Sequence, residues 1–176
     1  MYKRILTLIA LCIFTLTLTS CVTTPKIQDY QAKNQTEKEI VGLFIDGLKA
    51  WDAGDKAAFL SIYCKDLVIL TDGENDWEED WFSYDEYANF VESKMKRYKE
   101  KNVTVEQFEP KKLIIERDKA HIEIEYHLYT PGYAYQEKGI IYADLKKTTS
   151  GWCIYKRWFE YLCASYNPTK KLPKCY

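Results

Sequence analysis

Ala120-His121-Ile122-Glu123-Ile124-Glu125-Tyr126-His127-Leu128-Tyr129-Thr130 alternates apolar and polar side chains along most of its length. A period of two belongs to a strand with one face on a core. Ile122, Ile124, Tyr126 and Leu128 fall on one face, and His121, Glu123, Glu125 and His127 on the other. The same period runs back through 103–116 and forward through 138–147 and 152–162, which predicts four long antiparallel strands. Arg117-Asp118-Lys119 and residues 148–151 have the length and composition of tight hairpin turns. Pro131-Gly132 opens a longer loop. Pro110 has no N–H to give a ladder, so it should mark an edge or a bulge.

Upstream of this sheet the period lengthens. Thr36-Glu37-Lys38-Glu39 reads as a capping box. Behind it Ile40, Phe44, Leu48 and Trp51 recur at helical spacing, and Gly54 stops the run. Asp55 caps a second helix, whose buried side is Ala58, Phe59 and Ile62. Leu67 to Leu70 has strand character. Ser83-Tyr84-Asp85-Glu86 is a second capping box, opening a third helix through Tyr87, Val91, Met95 and Tyr98. Helices first and a meander afterwards predict an α+β domain, with three N-terminal helices packed on a mainly antiparallel sheet.

Residues 36 to 161 resemble the nuclear transport factor 2-like superfamily, which includes the SnoaL-like proteins. The carriers are 40–51 with Ala53-Gly54-Asp55, then Phe59-Leu60-Ser61-Ile62-Tyr63, Leu67-Val68-Ile69-Leu70, and the closing Gly151-Trp152-Cys153-Ile154-Tyr155-Lys156-Arg157-Trp158. The resemblance implies a curved sheet wrapped around helices as an open cone. It also implies a cavity used for catalysis, for binding or not at all, and often a dimer through the sheet. By analogy, Trp51, Tyr63, Tyr87 and Trp158 would line that cavity. Several members carry a polar residue, often His, late in the last strand. Trp158 stands at a comparable place here, which speaks against acid–base chemistry.

The amino terminus reads as an export signal: Lys3-Arg4, an uncharged run from Ile5 to Leu18, then Leu18-Thr19-Ser20-Cys21. The last four residues resemble the lipobox of bacterial lipoproteins. This implies removal of residues 1–20, acyl chains on Cys21, and attachment to a membrane, for which two chains suffice. Val22 after Cys21 fits the outer membrane facing the periplasm. Residues 21–35 are polar and read as a tether, 36–163 as the domain, and 164–176 as a tail.

Of 25 Lys and Arg, the mature chain loses Lys3 and Arg4, and with 26 Asp and Glu its net charge is −3. That gives no footprint for nucleic acid. Four cysteines remain after Cys21 in an exported chain: Cys64, Cys153, Cys163 and Cys175. Three pairings are open. Cys163–Cys175 would staple the tail to the last strand, leaving Cys64–Cys153 as the second bridge. Their spacing does not suit zinc, and no metal or cofactor is expected.

Three groups of residues invite chemistry. His121, Glu123, Glu125 and His127 share a strand face that reads as solvated, although His127 beside Glu125 has the makings of a base and its orienter. His121, just after a turn, is expected to be exposed. Asp72 to Asp85 is an acidic loop carrying Trp77, Trp81 and Phe82; its likeness to a calcium loop fails where Trp77 replaces the glycine and Ser83 the bidentate Glu. Tyr126, Tyr129, Tyr133, Tyr135 and Tyr142 gather around one hairpin as binding anchors or sheet packing. The expected function is a lipid-anchored, noncatalytic domain that binds an apolar small molecule or an envelope protein. The alternatives are a small isomerase, dehydratase or hydrolase, with Asp72 and His127 as weak catalytic candidates, and a homodimeric assembly subunit.

Overall fold

The computed structural model describes residues 30–72, 79–130 and 135–166. Cys21 with the export signal, most of the tether, Trp77, Tyr133 and Cys175 lie outside these, as do the side chains of residues 69–82. Helix α1 (Gln35–Ala53) presents Ile40, Val41, Phe44 and Ala50 to the core. Its cap is Asn34, whose side chain accepts from Glu37 N at 2.9 Å, and not Thr36. The capping-box reading was two residues late because Thr-x-x-Glu occurs one step inside the helix. Of the expected tether, Tyr30 already packs on the core, and its hydroxyl donates to Glu37 Oε2 at 3.4 Å.

Gly54 ends α1 in the left-handed region at φ 71, and its N–H returns to the carbonyls of Ala50 and Trp51. Asp55 then caps α2 (Lys56–Ser61) through Ala58 N. Strand β1 (Tyr63–Asp72) extends the expected Leu67–Leu70 run at both ends. Strand β2 (Glu79–Phe82) pairs antiparallel with it, so the acidic stretch expected to be a loop is in part a hairpin arm. Its acidic composition hid the strand. Helix α3 (Tyr84–Glu100) opens with both bonds of the Ser83–Glu86 capping box and buries Tyr87, Val91 and Met95.

Strands β3 (Thr104–Glu116), β4 (Lys119–Thr130), β5 (Tyr135–Thr148) and β6 (Gly151–Tyr166) form the expected meander. The sheet order is β2-β1-β6-β5-β4-β3, with β1 and β6 parallel and the other pairs antiparallel. Pro110 sits on the edge strand β3, where the register shifts between it and Lys112. Strand β6 continues to Tyr166, opposite Tyr135, past the expected domain end at 163.

The three helices share one core with the inner face of this sheet. Ile122, Ile124, Ile141, Leu145 and Ile154 meet Ile40, Phe44 and Val91 there. Each such side chain contributes about 1.5–3 kcal/mol of burial energy. A Cys64–Cys153 disulfide, Cα to Cα 5.2 Å, ties the start of β1 to β6. Cys163 is disulfide-bonded as well.

Candidate functional site

One extra residue in β6 decides which side chains face the core. Leu145 pairs with Ile154, but Asp144 pairs with Lys156, so Tyr155 is a bulge. Before it Trp152 and Ile154 point inward. After it the phase flips, and Arg157 and Phe159 point inward opposite Ala143 and Ile141. Trp158 therefore faces outward, contrary to its expected place in the cavity wall. Its ring stacks on Tyr142 at 5.2 Å and lies 5.7 Å from His121.

On the inner side Arg157 meets two of the expected cavity residues. Its Nη1 donates to the hydroxyls of Tyr63 and Tyr87, the latter at 3.3 Å. Tyr63 and Tyr87 come within 3.4 Å of each other through their hydroxyls, and their rings meet edge to face at 5.3 Å. Phe59 holds both from the α2 side, at 5.5 and 6.5 Å between ring centroids. The Arg157 guanidinium also lies over the Phe159 ring at 4.6 Å. Burial, followed by the nearby Tyr63, pushes the Tyr87 hydroxyl well above its usual pKa, so it stays neutral at ordinary pH. Burial works against the charge of Arg157, but the oxygens of Tyr63 and Tyr87 outweigh it and raise its pKa.

A second inward set lies further along the sheet. The Tyr126 hydroxyl donates to Glu137 Oε1 at 2.8 Å, and Tyr135 donates to Oε2 at 3.1 Å. Tyr135 also meets the Tyr161 hydroxyl at 3.1 Å. Burial first, and contact with Glu137 second, raise the Tyr126 pKa, so this phenol too remains a donor. Trp51, the fourth expected wall residue, joins the first set only through Phe59, whose ring it meets edge-on at 5.1 Å. It packs edge-on to Tyr98 at 5.3 Å and lines a groove of about 560 Å³ with Met95, Lys56 and Lys99.

The outer face is different chemistry. His121 is half-buried, not exposed, with Nδ1 2.7 Å from Asp144 and Nε2 3.5 Å from Glu123. Lys112 reaches Glu123 at 2.8 Å, and Lys138 reaches Glu125 at 2.6 Å. His127 is only 3% exposed and sits 3.2 Å from Gln136 Oε1, so this end of the face is not solvated as expected. Alternation gave its face correctly, but could not show that its cross-strand neighbours Gln107 and Gln136 are buried too.

The candidates thus separate. Tyr63 and Tyr87 come together, Trp158 and His127 lie on the opposite face, and Asp72 closes β1 opposite Glu79 with its side chain outside the description. The tyrosine cluster divides: Tyr126 and Tyr135 face inward, while Tyr142 faces outward and donates to Glu160. Arg157 and Glu137 escaped the sequence reading. The usable signal was a charge among aromatics in 157–159, legible only once the bulge sets the phase.

No family model and no curated protein matches the sequence. Solved structures do match. An NTF2-like protein with a cystatin-like fold from Novosphingobium aromaticivorans aligns with TM-score 0.62 and 14% identity, over 73% of this chain and 82% of that one. An NTF-2 like protein from Shewanella oneidensis gives TM-score 0.53 and 18% identity, over 69% and 96%. A ketosteroid isomerase-like protein from Erwinia carotovora gives 0.55 and 18%, over 74% and 98%. At such identities the likeness speaks for architecture alone, and the architecture is clear: this chain has the nuclear transport factor 2-like fold.

Proposed function

We propose that the chain is a lipid-anchored domain of the bacterial cell envelope that binds a small molecule on the inner side of its sheet. The observation that carries this reading is the convergence of Arg157, Tyr63 and Tyr87 on that side, with Glu137 held by Tyr126 and Tyr135 further along the same side. A few polar groups set among aromatic rings are what orient a ligand in an otherwise apolar site. Both histidines lie on the other face, which removes the usual proton carrier from the site. Each oxygen of Glu137 already accepts a hydroxyl, an arrangement that suits holding better than proton abstraction.

The anchor rests on the Leu18-Thr19-Ser20-Cys21 ending and the uncharged run before it. Labelling cells with a fatty-acid analogue tests it: Cys21→Ser should abolish the label and release the protein from membranes. Thermal shift of the detergent-purified protein against small amphiphiles tests binding. Stabilisation by a ligand that Tyr63→Phe weakens supports the reading, and no response across the set counts against it.

An enzymatic reading has one observation in its favour, the Tyr126–Glu137 pair, which sets a phenol donor beside a carboxylate. A compound turned over by the protein and left intact by Glu137→Gln would establish that reading in place of simple binding.

A further inference from the structure

We propose that the ligand of the inner site carries a carboxylate, and that Arg157 with the Tyr63 and Tyr87 hydroxyls receives it. This rests on the inner side being the binding side. Charge balance is the argument. Lys56, Lys111, Lys112, Lys138 and Lys146 each reach a carboxylate. Arg157 reaches none among the described residues. Its bonds run through Nη1 to two phenols, and its Nε is buried with no partner among those residues.

A buried guanidinium without an anion is costly, and a fold keeps one where something else supplies the negative charge. Burial keeps Tyr87 and Tyr126 protonated, so neither of these phenols supplies it. The nearest inward acid described above, Glu137, is engaged by Tyr126 and Tyr135. Guanidinium and phenol together match a carboxylate: the planar fork offers two N–H donors, and a phenol hydroxyl can turn to give a third. The Phe159 ring stacked against the guanidinium covers one face of the fork and favours an aromatic or aliphatic body beside the head group. A phosphate dianion fits less well, because one cation would leave a net negative charge among aromatic rings.

The experiment compares matched acids and amides on the full chain in detergent. Phenylacetate and benzoate are titrated beside phenylacetamide and benzamide at neutral pH, with calorimetry and thermal shift as readouts. The acids should bind at least about tenfold more tightly than their amides, as a charge-assisted contact requires. Arg157→Met should erase that preference. Because this variant removes a buried group and risks misfolding, Tyr87→Phe serves as the second probe. It keeps the ring and should weaken the acids several-fold while leaving the amides unchanged. Acids and amides binding equally, or an undiminished preference in Arg157→Met, overturns the carboxylate assignment and leaves inner-side binding standing. Failure of all four compounds to bind at millimolar concentration counts against both.

Discussion

The Tyr126 hydroxyl reaches Glu137 because Gly139 has no side chain. Gly139 pairs with Tyr126 across β4 and β5, and a Cβ built on it would stand 2.6 Å from that hydroxyl and 2.5 Å from the Glu160 carbonyl. One of these obstacles is backbone and cannot swing away.

Gly139→Ala should therefore destabilise the domain by about 1–3 kcal/mol, the usual cost of overpacking. Tyr126→Phe, which only removes the hydroxyl, should cost about 1 kcal/mol. Urea midpoints of the two variants test this. A Gly139→Ala midpoint equal to wild type would mean that β5 and β6 separate freely there, against the observed register.

The Cys64–Cys153 bridge closes a separation of 89 residues and joins the two parallel strands. The Cys64→Ser/Cys153→Ser double variant should lose about 2–4 kcal/mol, since the unbridged chain regains loop entropy on unfolding. Substitution is a cleaner test than a reductant, which would also open the bond at Cys163. An unchanged denaturation midpoint would show that the β1–β6 pairing does not need the crosslink.

Much of the architecture could be read before any coordinates because its turns are chemically marked. Arg117 takes a left-handed φ of 55 in the β3–β4 turn, and Gly151 a φ of 117 after Thr148. Helix α3 kept both halves of its capping box. The misses have a common cause, the loss of phase. Strand β2 is too short and acidic to show a period. The Tyr155 bulge inverts β6, so counting from Ile154 puts Trp158 inside and Arg157 outside, the reverse of what the chain does. Tyr87 survived because it lies on a helix of unbroken phase, and Tyr63 because it pairs with Ile154 ahead of both the register shift in β1 and the bulge in β6. Glu137 lay just before the strand expected to begin at Lys138.

Acid should weaken the fold through the outer face of the sheet. A hydrogen bond from Lys112 holds Glu123 below its ordinary value of 4.5, against the opposing effect of burial. Lys111 does the same for Glu109, helped by Gln107. A depressed carboxylate favours the folded state above its unfolded pKa, and that contribution vanishes as pH falls through the folded value. The urea midpoint should thus be flat above about pH 5 and fall below it. Glu123→Gln should start lower and fall less. A wild-type midpoint that holds steady down to about pH 3 would remove these ion pairs from the account of stability.

Two neighbouring residues compete for the start of α1, and substitution separates them. Asn34 is extended, at φ −154 and ψ 172, and its side chain accepts from Glu37 N at 2.9 Å. Thr36 lies inside the first turn, where its hydroxyl has no orphan N–H to satisfy ahead of it. Asn34→Ala should cost about 1 kcal/mol, while Thr36→Ala should be within about 0.5 kcal/mol of wild type. The same N-terminus carries Glu37, which accepts from Lys33 N at 2.8 Å and from Tyr30, so it docks the preceding chain as well as starting the helix. Glu37→Gln should then loosen residues 30–33 as well, seen as faster amide exchange at Lys33 than in Asn34→Ala. If Thr36→Ala were the costly change, the helix would begin two residues later and the docking of Tyr30 would lose its anchor.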